Sequence, residues 1–163
     1  MSEEATALLG TLDKQRRHVL GMVEGLTEEE LRRPVLPSGW ACLDLVQHLA
    51  LDVERFWFRR VVAGEPEPDD WAVEDGWQIA PEVSSQAVLD LYRSETALAK
   101  VITASTPLDA APKWWPEELF GSWRLDDLRE ILLHVIAETA CHAGHVDAAR
   151  ELIDGRLWLV LNK

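Results

Sequence analysis

Four side chains that can ligate a metal recur along one helical segment near the end of the chain. His134, Glu138, His142 and His145 are separated by four, four and three positions. Because an α-helix turns by about 100° per residue, these side chains fall within an arc of roughly 80°. Only five histidines occur in the chain, and three of them lie in this segment. The spacing therefore indicates a metal site on one face of a helix.

The position of Glu138 favours a bound cation. It borders the apolar stripe of the same segment, which includes Leu132 and Val135, and no Lys or Arg lies three or four positions away. A carboxylate at such a depth is costly unless a cation or hydrogen bonds compensate its charge. Because Glu138 and His142 lie one turn apart, both can reach a single divalent ion.

His48 is the candidate for a third ligand. It shares an apolar helical face with Leu45, Leu49 and Phe56, so we expect its ring to point toward the core. A lone histidine on such a face is usually a hydrogen-bonded core residue, but a second ligand-rich helix favours ligation here. Two histidines and one carboxylate leave open coordination positions, as in catalytic sites, and suit zinc, iron(II) or nickel.

Segments of helical periodicity carry these residues. They span about 4–25, 42–63, 84–104 and 125–153, and no useful length alternates with a period of two. We therefore predict an all-α fold with one domain over residues 1–163, most simply a four-helix bundle with metal sites between facing helices. Two loops, about 64–83 and 105–124, are longer than a compact bundle needs, which is typical of functional loops.

Composition restricts the partners of the protein. The net charge of −13 opposes binding to nucleic acid and to anionic membranes. No apolar run approaches the ~18 residues of a membrane span, and no secretion signal opens the chain, so we expect a cytoplasmic protein. The apolar tail at 155–163 could dock on the bundle or form a homodimer contact.

Both cysteines, Cys42 and Cys141, lie inside predicted helices, which suits a reducing compartment. Cys141 precedes His142, but neighbours in a helix point about 100° apart, so adjacency does not make a catalytic pair. We interpret Cys141 as a small buried residue.

Aromatic and basic residues near the metal candidates could bind a ligand. Five of the eight tryptophans fall in or at the end of the two loops: Trp71, Trp77, Trp114, Trp115 and Trp123. These five could wall a pocket over the metal, or they could clamp the loops to the bundle. Arg55 and Arg59 could bind a carboxylate of a substrate or cofactor, with salt bridges as the alternative. Our candidates for cofactor binding are Trp77, Trp123, Arg55 and Arg59.

His145 is the candidate catalytic residue, because it lies beside the three ligands and could relay a proton. His134 could serve only to hydrogen-bond the adjoining helix. Asp52 lies one turn after His48 and could orient its ring, but a solvated helix face is the favoured interpretation.

Several motifs resemble the DinB-like, or YfiT-like, superfamily. They are Gly39-Trp40, the run from Leu43 to His48, Gly121-Ser122-Trp123 and the run from His134 to Asp147. The resemblance covers nearly the whole chain. It is greatest to the branch that contains the N-terminal metal-binding domain of mycothiol-dependent maleylpyruvate isomerase, which has glutamate at the place of Glu138 where many relatives have histidine. The resemblance implies a metal triad of His48, Glu138 and His142.

The resemblance also implies an activity. Such a protein would bind a divalent metal, most simply zinc, and would use a low-molecular-weight thiol such as mycothiol on a small electrophilic substrate, as a thiol S-transferase or an isomerase-like enzyme. A bound metal favours a thiolate at neutral pH. Two alternatives remain open: a metal-dependent hydrolase, and a non-enzymatic bundle that binds a metal or a small molecule.

Overall fold

The computed structural model describes residues 2–66 and 76–158, and within these ranges the regular secondary structure is entirely helical. The all-α prediction is therefore confirmed. The elements are α1 (Glu3–Val23), α2 (Glu28–Arg32), α3 (Cys42–His48), a π-helix called π1 (Leu49–Val62), α4 (Ser85–Ser105), α5 (Glu117–Phe120) and α6 (Leu128–Asp154). The short helices α2 and α5 lie in connections for which the sequence predicted no structure. Trp71 lies outside the described residues.

Capping side chains fix where the long helices begin and end. The Asp127 side chain accepts a hydrogen bond from the Glu130 N–H at the start of α6, and Ser2 and Ser84 cap α1 and α4 in the same way. Gly155 ends α6 in the left-handed region, with φ of 78°, which suits a residue without Cβ. These signals set the register of the histidine-rich face of α6.

The helix that carries His48 changes its winding directly after this residue. The chain is α-helical up to His48 and π-helical from Leu49 to Val62. The sequence pattern predicted one continuous α-helix over 42–63, because apolar residues at spacings of four and five fit a wide turn almost as well as a normal one. Leu49, Val53, Phe58 and Val62 are buried along π1. Single π turns are frequent at functional sites, and here the change of winding begins beside a candidate ligand.

The long helices pack against one another in pairs. Helix α1 packs against α6, π1 packs against α4, and both α3 and π1 also contact α6. The core between them is filled by fully buried side chains that include Leu12, Leu45, Phe58, Tyr92, Ile131 and Leu132. The contact of α3 with α6 is the one that brings the predicted ligands together. Within the described ranges, no helix has both the length and the apolar character needed to cross a membrane.

Candidate metal centre

The three predicted ligands meet between α3 and α6. His48 is the last residue of α3, and Glu138 and His142 lie one turn apart on α6. One ligand atom from each residue lies within 4.8 Å of the other two. The Glu138 Oε1 atom is 3.1 Å from His142 Nε2 and 3.8 Å from His48 Nε2. The ligand atoms thus surround one point, with separations that a single ion can bridge.

The hydrogen bonding of His48 fits a metal ligand. Its Nδ1 atom lies 2.7 Å from Asp52 Oδ2, so Nδ1–H donates to the carboxylate. The other ring nitrogen, Nε2, is buried and has no hydrogen-bond partner. A buried polar atom without a partner is uncommon and costly. A cation at the meeting point would satisfy the lone pair of Nε2, and the Asp52 hydrogen bond fixes the tautomer that supplies it.

The charges around Glu138 fit a cation as well. In the described part of the chain, the ion-pair partners of Glu138 are histidines, at His48 and His142, and none is a lysine or arginine. Burial lowers the pKa of His142, and the Glu138 carboxylate opposes that change. A histidine with a lowered pKa is neutral at pH 7, which is the form that binds metals.

Asp52 contacts the ligand His48, and Gly76 lies against Asp52. We favoured a solvated helix face for Asp52, and this interpretation is wrong: although the side chain is 41 % exposed, it bonds the His48 ring. Gly76 is buried against the Asp52 carboxylate, where an added Cβ would collide with Oδ2. A side chain at this position would push the Asp52 carboxylate away from the place where it bonds the His48 ring. Gly76 was not among the residues predicted from the sequence.

Removing the Asp52 carboxylate is expected to weaken metal binding. In Asp52→Ala, the His48 ring loses the acceptor that orients it, and such losses typically reduce metal affinity by about 10- to 100-fold. Competition with a metal indicator dye measures the affinity. Asp147→Ala is the matched control, because Asp147 bonds His18 Nε2 at 2.7 Å without belonging to the ligand cluster. Equal affinities of Asp52→Ala and the wild type would contradict the orienting role.

Two further aromatic side chains border the ligands. Trp77 stacks on the His48 ring, with centroids 4.2 Å apart, and lies 5.9 Å from the His142 ring. His145 is exposed, and its Nδ1 atom lies 3.4 Å from His142 Nδ1. Trp40 lies next to His145, at a centroid distance of 6.0 Å. Trp77 therefore contacts the rings of His48 and His142, His145 contacts the ring of His142, and Trp40 contacts His145.

The chain matches a known protein family. A family model described as mycothiol-S-transferase matches residues 7–155, a span that includes all the clustered ligands. The chain belongs to the mycothiol S-transferase family. This family is part of the DinB-like superfamily, so the resemblance noted in the sequence is confirmed. No curated protein matches the chain.

In this member of the mycothiol S-transferase family, the aromatic residues of the second long loop form a cluster of their own. Trp123 packs against Trp115, Phe120 and Trp57, with ring centroids 5.0 to 6.2 Å apart. His134 joins this cluster, 4.7 Å from Trp57, and burial lowers its pKa. His134 shares the helical face of the ligands but stands outside the group that could hold an ion. A cofactor-binding role for Trp123 remains a prediction.

The arginines on π1 form ion pairs with acidic side chains. Arg55 Nε lies 2.9 Å from Glu95 Oε1, and Arg59 Nη1 lies 3.1 Å from the same atom. Arg59 Nε also lies 2.7 Å from Glu65 Oε2. Salt bridges, the alternative that the acidic composition suggested, are therefore present. Cofactor binding by Arg55 or Arg59 remains a prediction.

The cysteines lie in different environments. Cys141 is exposed, so its interpretation as a buried residue is wrong: its helical direction faces away from the bundle. Cys42 is buried, and burial raises the pKa of its thiol to about 11. Cys42 is therefore protonated at neutral pH and is a poor nucleophile.

Proposed function

We propose that this protein is a metal-dependent transferase that uses mycothiol, with the metal held by His48, Glu138 and His142. Family membership supports the thiol. The observation that carries the metal is the buried Nε2 atom of His48, which lacks a hydrogen-bond partner and faces a carboxylate and a second imidazole. The donor set suits zinc, nickel or iron(II), and zinc is the ion we propose.

When bound, a divalent cation would lower the pKa of a thiol at its open coordination position, so that the sulfur reacts as a thiolate. The chain supplies the rest of the chemistry. Asp52 accepts a hydrogen bond from the His48 ring, and Trp77, from the first long loop, stacks on that ring. We assign acceptance of the thiol proton to the imidazole of His145, whose exposure allows the proton to pass to solvent.

The transfer forms one bond and breaks another. The mycothiol sulfur uses its electron pair to bond an electrophilic carbon of a small organic substrate, and the leaving group departs with the electrons of its former bond. No protein cysteine takes part, because Cys42 is buried and protonated and neither cysteine belongs to the ligand group. The cytoplasmic location and the homodimer remain predictions from the sequence.

The decisive experiment measures conjugation of mycothiol to an alkyl halide, with free thiol and released halide followed together. We expect the metal-loaded protein to consume thiol and release halide in equal amounts. We expect the chelator-treated protein to lose this activity and to regain it on addition of zinc. Halide release without thiol would favour the hydrolase instead. Metal loading without turnover across a panel of electrophiles would favour the non-enzymatic bundle.

A further inference from the structure

We propose that a second site, in the groove between α1 and α4, binds an acyl chain that ends in a carboxylate. This site goes beyond the proposed function and supplies no part of the transfer reaction. The groove has a volume of about 630 Å³, a size typical of sites for organic molecules and far larger than an inorganic ion needs. Its lining residues are separate from the three candidate metal ligands.

The groove exists because α1 and α4 pack mainly against other helices. Helix α1 packs against α6, and α4 packs against π1. Asp13 of α1 pairs with Lys100 of α4 at 3.0 Å. From there the groove extends to Glu24, directly after α1, and to Ser85, at the start of α4, so the two helices are antiparallel. The stretch of α1 that lines the groove, from Arg17 to Glu24, is about 10 Å long, which accommodates a medium-length acyl chain.

Apolar side chains along the groove can contact such a chain. Leucines from α1, α2, α4 and the turn after α1 line it: Leu20, Leu26, Leu31 and Leu89. Leu31 is buried, and the other three are half-buried and pack against the core. An acyl chain laid over these side chains would remove apolar surface from water on both partners, which favours binding.

Trp158 forms a further wall of the groove. Its indole stacks on the His18 ring with centroids 4.7 Å apart, and His18 Nε2 lies 2.7 Å from Asp147 Oδ1 on α6. Gly21 lies against the indole, where an added Cβ would collide with it. These contacts hold Trp158 in place without a ligand, so little side-chain order has to be gained on binding.

Arginines give the groove a positive charge. Arg17, Arg93 and Arg156 line it, and Glu24 is its acidic residue. This local excess of positive charge contrasts with the net charge of −13 of the whole chain. Within the described ranges, Arg17 forms no ion pair, so its guanidinium is available to bind a carboxylate through two parallel hydrogen bonds.

The carboxylate is expected at the end of the groove near the pair of Asp13 and Lys100. Arg17 lies one turn after Asp13 on α1, and Arg93 lies two turns before Lys100 on α4. Arg156 lies at the other end, where its Nη1 atom donates to the last backbone carbonyl before the turn, at 3.1 Å. A carboxylate between Arg17 and Arg93 therefore directs its acyl chain over the leucines.

Calorimetric titration with octanoate tests the site. We expect the metal-loaded wild type to bind one octanoate per chain. Arg17→Met keeps an apolar side chain and removes the charge, so octanoate should bind several-fold more weakly. Lys14→Met is the matched control, because it removes one positive charge from an exposed position of α1 outside the groove, and it should bind octanoate like the wild type.

A second variant should change the affinity in the opposite direction. Arg93 Nη1 bonds Asp90 Oδ1 at 2.9 Å, and Asp90 does not line the groove. Asp90→Asn removes this competing carboxylate, so octanoate should bind more tightly, by up to about five-fold. Unchanged affinities in both Arg17→Met and Asp90→Asn would overturn the placement of the carboxylate.

Two analogues test the chemistry of the ligand. Octanol keeps the chain and lacks the charge, whereas acetate keeps the carboxylate and lacks the chain. We expect each to bind at least about ten-fold more weakly than octanoate. Octanol that binds as well as octanoate would overturn the role of the arginines, and acetate that binds as well would overturn the role of the leucines.

A carboxylate can also ligate a metal, so the titration is repeated on chelator-treated protein. Octanoate should bind equally well with and without the metal, whether or not the protein conjugates any thiol. Binding that is lost with the metal and is unchanged in Arg17→Met would assign the carboxylate to the metal centre and overturn the groove site. If octanoate does not bind, and Arg17→Met converts a dimer to a monomer in sedimentation velocity, the groove is an interface between two copies of the chain instead.

Discussion

Replacing Glu138 or His142 with alanine is expected to abolish stoichiometric metal binding. Each residue supplies one of the three ligand atoms that lie within 4.8 Å of one another, and two protein ligands rarely hold a divalent ion against water and buffer. Elemental analysis of protein purified without an affinity tag should give about one ion per chain for the wild type and near none for either variant. Thiol conjugation should be lost in parallel.

Two variants on the same helix distinguish the proposed metal ligands from the neighbouring histidines. His134→Gln changes a histidine one turn before Glu138 that packs against Trp57 instead, and it should keep full metal content. His145→Gln should also keep the metal, but conjugation should slow by about 10²- to 10⁴-fold if this imidazole accepts the thiol proton. Full metal content in both Glu138→Ala and His142→Ala would show that the three-residue cluster is not the metal site.

The sequence could predict the ligand cluster because helical geometry relates positions on one helix directly. The spacing of four between Glu138 and His142 fixes their proximity once α6 forms, and its caps set that register. His48 was a weaker prediction, since an inward histidine on another helix meets them only if the packing is right. The contact of α3 with α6 supplies that condition.

Features that depend on contacts between distant segments could not be predicted in this way. The clash that would follow from a Cβ at Gly76 involves Asp52, twenty-four positions earlier in the chain, and no local pattern reveals it. The bond from Gln47 to Gln78 is of the same kind. The π-helical winding of π1 also escaped prediction, because apolar spacing alone does not separate the two kinds of turn.

The position of a residue on a helical face predicts the direction of its side chain but not the residues that it contacts. His134 shares the face of Glu138 and His142, yet Trp57 of π1 and Trp123 of the second loop pack against it, so it belongs to an aromatic cluster. The same cluster shows why the functional and structural interpretations of the tryptophans could not be separated. Trp123 packs in that cluster, whereas Trp77, from the first loop, stacks on a candidate ligand. Only the packing of each loop distinguishes these roles.

A second large effect is expected at a buried ion pair away from the metal centre. Arg16 on α1 donates to both carboxylate oxygens of Glu54 on π1, at 2.7 and 2.6 Å, and the two residues are only 5 % and 1 % exposed. Burial raises the pKa of the Glu54 carboxyl, and the Arg16 guanidinium opposes that rise. Glu54→Gln would remove the main counter-charge of the buried guanidinium and leave it only the partly exposed Asp13, whose Oδ1 atom lies 2.9 Å from Arg16 Nη1. We expect the free energy of unfolding to fall by about 3–5 kcal/mol, measured by urea denaturation.

An exposed pair and a double replacement show whether charge is the cause. Asp90→Asn breaks the pair between Asp90 and Arg93, whose side chains are 60 % and 50 % exposed, and should change the free energy of unfolding far less than Glu54→Gln does. Replacing both partners, with Arg16→Met and Glu54→Leu together, removes the poorly compensated charge of Arg16. Asp13 keeps its pair with Lys100 at 3.0 Å, so the double variant should cost less than Glu54→Gln alone. If the double variant is instead the least stable, the pair stabilises the fold through its own attraction. The cost of Glu54→Gln would then measure lost bonding between α1 and π1 instead of an orphaned charge.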